Sequence, residues 1–118
     1  MLFLQGELEM QKLDSVEQFE QVLKSKDSFL ILKHSLTCPI SQGAYDEYDK
    51  FSKANPDYSS YYLVVQDSRP LANYIAETFN VKHESPQALL FTNKSVTWHT
   101  SHWKITYDVL NEISQGNK

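Results

Sequence analysis

The sequence predicts an α/β fold, a three-layer sandwich with a mixed central sheet and helices on both faces. Three observations predict it. Phe29-Leu30-Ile31-Leu32, Tyr61-Tyr62-Leu63-Val64-Val65 and Ala88-Leu89-Leu90-Phe91 are apolar runs too continuous for strands wetted on one side. Segments with apolar residues at helical spacing alternate with these runs, which is the pattern of strands covered by helices. The chain has 118 residues, 41% of them hydrophobic, with 2 Trp, 7 Tyr and 6 Phe, enough for one core and too few residues for two. Residues 1–118 are therefore expected to form a single domain.

Each element follows from local signals. Residues 1–9 lack a clear period and read as an N-terminal extension; Met10 to Leu13 suit a short edge strand. Asp14 or Ser15 caps a helix over 15–25, with Glu17 in its first turn and Val16, Phe19, Val22 and Leu23 on one face. Phe29–Leu32 is a central strand ending at Lys33-His34. Pro39 then suits a first helical turn, Thr37 is a capping type, and Ala44, Tyr48 and Phe51 share a face up to about Ala54, where Asn55-Pro56-Asp57 stops the helix. Tyr61–Val65 is the second buried strand. Asp67-Ser68-Arg69-Pro70 opens a helix to Phe79, and after a loop from Asn80 to Pro86 the strand Ala88–Phe91 follows. Asn93-Lys94 turns it into a partner run, Val96-Thr97-Trp98, so the sheet is mixed. Thr100 or Ser101 is expected to cap a terminal helix bearing Ile105, Val109 and Ile113 and ending at Gly116 and Asn117.

Composition excludes several function classes. A net charge of −4 leaves no basic field for a phosphate backbone, so nucleic acid is not an expected partner. Three glycines, Gly6, Gly43 and Gly116, cannot build a glycine-rich phosphate loop. No run of about 18 apolar residues predicts a membrane span, and Met1–Leu4 is too short for the apolar part of a signal peptide. A single cysteine cannot close an internal disulfide, which suits a reducing, cytoplasmic setting. The triplet Asn93-Lys94-Ser95 is accordingly read as a turn rather than a glycosylation acceptor.

That cysteine, Cys38, stands where a central strand gives way to a helix. Free N–H groups and the positive end of the helix dipole favour thiolate there, and active groups collect outside the carboxyl ends of such strands. The alternative is a small buried hydrophobe. Cys38-Pro39-Ile40-Ser41 has the shape of a Cys-X-X-Cys site with serine in the second place. Its strand-turn-helix setting, with Ser85-Pro86 before another strand where a cis-proline loop is expected, is that of a thioredoxin-like motif.

Several separated segments carry a closer likeness: Lys33 to Ser41, Arg69-Pro70-Leu71, Lys82 to Gln87, and Trp98 to His102. Together they closely resemble the YtxJ family of thioredoxin-like proteins, the monothiol bacilliredoxins also called BrxC, over nearly all of the chain past its first ten or so residues. The resemblance implies a general-stress protein that removes bacillithiol from mixed disulfides on client proteins, with Cys38 as the redox cysteine. It implies no bound metal or organic cofactor; bacillithiol is an exchanging co-substrate and bacillithiolated proteins are the partners. One cysteine cannot resolve its own mixed disulfide, so an external thiol must release it.

The remaining polar residues each keep two readings. Thr37 is a helix cap or a hydroxyl that bonds the thiolate, and Ser41, three residues after Cys38, donates to the sulfur or is an ordinary first-turn serine. Tyr45 and Tyr48 read as core. His34, Cys38, His83, His99 and His102 include ligand types without a recognised zinc spacing, so no metal is expected. His83 and Glu84 stand beside the Ser85-Pro86 loop, whose backbone can pair with a bound thiol compound. Thr100, Ser101 and His102 either cap the last helix or receive a carboxylate, such as the malate of bacillithiol, at its start. A non-catalytic thioredoxin-like adaptor is the rival function. A peroxidase is disfavoured because the chain offers no resolving cysteine.

Overall fold

The structure, a computed structural model, describes residues 10–116. The extension read over 1–9 and the predicted stop at Asn117 lie outside these residues. Strand β1 (Gln11–Lys12) leads to helix α1 (Val16–Ser25), β2 (Ser28–His34), α2 (Pro39–Ala54), β3 (Ser60–Val64) and α3 (Arg69–Phe79). Then come β4 (Gln87–Thr92), β5 (Ser95–Ser101), a 3-10 turn (His102–Lys104) and α4 (Tyr107–Gly116). The sheet order is β1-β3-β2-β4-β5, parallel among β1, β3 and β2 and antiparallel from β2 through β4 to β5. It is the mixed sheet expected, with the short first strand on one edge.

Period-two alternation of the apolar runs builds a core on each face. Phe29 and Ile31 of β2, with Leu89 and Phe91 of β4, meet Phe19 of α1 and Leu71, Ala72 and Ile75 of α3. Leu30 and Leu32, with Ala88 and Leu90, meet Ala44, Tyr48 and Phe51 of α2 and Leu110 of α4. This is the three-layer sandwich. Local signals also hold at the ends: the Ser15 side chain accepts from Gln18 N at 3.1 Å at the start of α1, and Asn55 caps the end of α2. Asn93 and Lys94 both take positive φ, 51° and 67°, as a two-residue hairpin turn with the strand twist requires.

One expectation fails. Thr100 and Ser101 do not open the terminal helix: they finish β5, where Ala88 pairs with Thr100 and Gln87 with Ser101. The 3-10 turn follows, and α4 starts at Tyr107, with Thr106 Oγ1 accepting from Val109 N at 3.2 Å. A capping side chain satisfies one amide, whereas continuing the ladder pairs β4 out to its first residue. Ile105 is buried without being helical.

Candidate functional site

One end of the sheet assembles the candidate site. The row Leu63–Lys33–Gln87–Ser101 runs across β3, β2, β4 and β5 in register. Just past it lie the carboxyl end of β2 leading to Cys38, the amino end of β4 preceded by Ser85-Pro86, and the carboxyl end of β5 leading to His102. The Ser85-Pro86 peptide bond is cis, as expected for this loop. His102 N donates to Pro86 O at 3.1 Å, joining the turn after β5 to that loop. Ser85, Pro86, Thr100, Ser101 and His102 are thus brought to the end of the sheet that carries Cys38. Because the strand runs to Ser101, the predicted carboxylate seat at a helix start does not exist there.

Cys38 is the N-cap of α2, in extended conformation at φ −107° and ψ 120°, and is half-buried as a free thiol. Pro39 occupies the first turn as predicted. Thr37 is not the cap, and its hydroxyl faces Ser35 Oγ and Gln66 Nε2, each at 3.4 Å, rather than the sulfur. Ser41 also departs from both readings. Its side chain is fully buried and turned back toward β2, accepting from Ser35 N at 2.8 Å. The same hydroxyl pairs with His34 Nδ1, 3.1 Å away. Side chains in a helix lean toward its N-terminus, so a serine one turn into α2 reaches the end of the preceding strand. Ser41 therefore holds the Ser35–Cys38 turn from below. Ser41→Ala orphans the buried Ser35 amide, and a loss of about 1–3 kcal/mol in urea unfolding is expected; an unchanged midpoint would contradict this role.

Sequence reasoning missed Gln66, just after β3. Its Oε1 accepts from Leu36 N at 3.1 Å and its Nε2 donates to Ser35 Oγ at 2.9 Å, bracketing the turn before Cys38. No local signal announces it, because the bonds span 30 residues. Tyr48 is core, as read, with its hydroxyl donating to Tyr61 O at 2.6 Å, and half-buried Tyr45 packs on the His34 ring at 4.8 Å. Burial lowers the pKa of His34.

Lys33 marks the end of a strand in the sequence, yet its side chain is fully buried. Its Nζ lies 3.2 Å from His83 Nδ1 and donates to Ala72 O at 3.4 Å. Its register neighbour Gln87 has Nε2 on Lys82 O at 3.0 Å, while Oε1 has no hydrogen-bond partner among the described residues. Burial brings the Lys33 ammonium from 10.5 down to about 8. His83 is lowered by burial and by the Lys33 charge. Between the folded value of about 8 and the ordinary 10.5, the unfolded chain holds more protons at this lysine. The cost to the fold is thus full below that window and relaxes as pH rises through it. Lys33→Met is expected to raise stability near neutral pH by about 1–3 kcal/mol, with the gain shrinking in alkali. Urea midpoints across this pH range check it; a variant weaker than the parent near neutrality would contradict it.

Among the described residues no group of three or more His, Cys, Asp or Glu could hold a metal ion, and no helix is long and apolar enough to cross a membrane. Comparison with known proteins places the arrangement. A solved structure whose description gives a thioredoxin fold and suggests an oxidoreductase is 45% identical, with TM-score 0.82, covering 89% of this chain and 93% of its own. Thioredoxin of Malassezia sympodialis is 17% identical, TM-score 0.74, with 92% and 90% covered. Thioredoxin of Fasciola hepatica is 14% identical, TM-score 0.74, with 92% and 100% covered. These last two speak for the fold alone, which is thioredoxin-like. The family model for monothiol bacilliredoxin BrxC matches residues 11–110, and the chain, a thiol redox protein by this kinship and by its single strand-end cysteine, belongs to that family.

Proposed function

We propose that this chain removes bacillithiol from mixed disulfides on client proteins through Cys38. The observation that carries the reading is a lone, half-exposed thiol at the N-cap of α2, beside the Ser85-Pro86 loop, in a chain of the monothiol bacilliredoxin family. The Cys38 thiolate attacks the bacillithiol-side sulfur of the client disulfide. A new S–S bond forms to Cys38, the client S–S bond breaks, and the client leaves as thiolate and takes a proton from water. A second thiol, bacillithiol or a related reductant, then attacks that bacillithiol sulfur, leaving as the disulfide partner while Cys38 departs as thiolate.

Thr37 and Pro39 shape the turn that presents the sulfur, and Ser41 supports it from below. The backbone at Ser85 and Pro86 lies ready to pair with the bound compound, and Thr100, Ser101 and His102 line its far side. His34 and His83 are held inside by Ser41 and Lys33 and act on the frame rather than on the sulfur. The chemistry needs no metal or bound cofactor, and it fits a reducing cytoplasm. Partial exposure of Cys38 favours exchange over a purely structural cysteine. Intact mass analysis after mixing with a bacillithiolated client tests the direction of attack. The expected product is this chain carrying one bacillithiol; a disulfide between this chain and the client would overturn the sequence of steps.

A further inference from the structure

The loop that joins α3 to β4 is fastened in two ways. Backbone bonds hold its ends: Val81 N donates to Ala76 O at 3.0 Å, and Pro86 O accepts from His102 N at 3.1 Å. Its middle, Lys82 to Glu84, is held by side chains from one row of the sheet. Lys33 of β2, Gln87 of β4 and Ser101 of β5 are paired in register, so their side chains leave the same face of three adjacent strands. Each reaches a different residue of the loop. Lys33 Nζ lies 3.2 Å from His83 Nδ1, and Gln87 Nε2 donates to Lys82 O at 3.0 Å. The Ser101 hydroxyl hydrogen-bonds the Glu84 carboxylate and holds its pKa below the usual range. Three successive loop residues, ending next to Ser85-Pro86, are thus tied to three neighbouring strands.

This row destabilises the core in which it sits. Two residues further in, the same face carries Ile31 paired with Leu89, both fully buried. Lys33 and Gln87 are no more exposed than these, at 0% and 1%. The Lys33 ammonium meets only Ala72 O and the His83 ring, at 3.4 Å and 3.2 Å, and has no carboxylate within ion-pair distance among the described residues. A buried ammonium without an anion is unfavourable, and so is a buried amide oxygen without a donor, which Gln87 Oε1 is among the described residues. An apolar pair would suit this position better if the core were all it served. Cys38 and α2 lie on the opposite face of the sheet, so the row acts on the site through the loop and not on the sulfur.

We propose that Lys33 and Gln87, with Ser101 completing the row, are positioning residues for the exchange reaction: they clamp Lys82 to Glu84 and so hold the Ser85-Pro86 backbone in the shape that pairs with the bound thiol compound. The inference rests on the exchange reading above and adds to it the residues that set the loop. A loop fixed before the compound arrives has no ordering cost left to meet on binding. A loop released from the row meets that cost at every encounter, so capture weakens while the captured disulfide reacts at its former rate. The bond between Lys33 and His83 joins residues 50 apart in the chain. Losing either partner releases the loop, and losing both adds little to losing one.

The test compares Lys33→Met, His83→Ala and the double variant with the parent chain in three measurements: single-turnover transfer from a bacillithiolated peptide, urea unfolding, and the amide order parameters of residues 83–85. The half-saturating peptide concentration is expected to rise about tenfold in each single variant and no further in the double, with the limiting rate within about twofold of the parent's. The order parameters should fall from about 0.85 to about 0.6 or below. In Lys33→Met this weaker capture accompanies a higher urea midpoint, whereas a lysine serving the fold alone would move capture and stability in the same direction. His83 is half-buried, so its variant breaks the same bond without altering the core. Half-saturation unchanged in both single variants, factors that multiply in the double, or a loop as rigid as the parent's would overturn the proposal. A parent chain that transfers no bacillithiol, with the loop still loosened in the variants, would instead reject the exchange reading and leave the clamp standing.

Discussion

Cys38→Ser is expected to reduce transfer of bacillithiol from a client peptide to the uncatalysed background while leaving the protein folded. A serine hydroxyl is ionised to a negligible extent near neutral pH and does not displace a thiolate from a disulfide, so the attacking group is lost outright. No other cysteine can substitute. The fold loses nothing in return. Cys38 is half-buried and makes no side-chain hydrogen bond as the N-cap of α2, whereas serine at an N-cap accepts an amide of the first turn. The variant should therefore unfold at the same urea concentration as the parent or slightly above it. Single-turnover kinetics with a bacillithiolated peptide, read beside the unfolding curve, separates the two effects. Transfer at the parental rate would remove Cys38 from the reaction.

Phe19→Ala should destabilise the fold by about 3–5 kcal/mol, the largest stability effect expected in the chain. Phe19 is the fully buried residue through which α1 enters the core. Its ring meets Phe29 at 6.4 Å, Tyr74 at 6.1 Å, Phe79 at 5.9 Å and Phe91 at 5.5 Å, all edge-on, so truncation removes four aromatic contacts and opens a cavity between α1, α3 and the sheet. A domain of this size is stable by only about 5–15 kcal/mol, so the loss is about a fifth of the total or more. Exchange in the folded fraction should survive, because α2 and Cys38 lie on the opposite face. A shift below about 1 kcal/mol in urea unfolding would show that the core closes over the missing ring.

The layers and the position of the thiol follow from local sequence. Solid runs at 29–32 and 88–91 require cover on both faces, and the structure divides their side chains alternately between the two cores. Pro39 after a strand end dictates where α2 begins, so Cys38 could be placed at its N-terminus by local rules alone. Those rules report which conformation a segment favours and which of its residues share a face; they are silent on partners distant along the chain. Tertiary structure therefore decided everything that depends on such partners. Register with Gln87 carried β5 through Ser101 and overrode a capping signal of comparable local strength. The buried amide of Ser35, with no partner along its own strand end, drew the Ser41 hydroxyl inward, away from the sulfur it was expected to serve, and Gln66 reached back 30 residues to hold the same turn. Lys33 was buried because the strand alternation that sends Leu32 into one core sends its neighbour toward the other, where Ala72 O and His83 meet the ammonium. Trp103 was left in water because the 3-10 turn, anchored to Pro86, points it away from both cores.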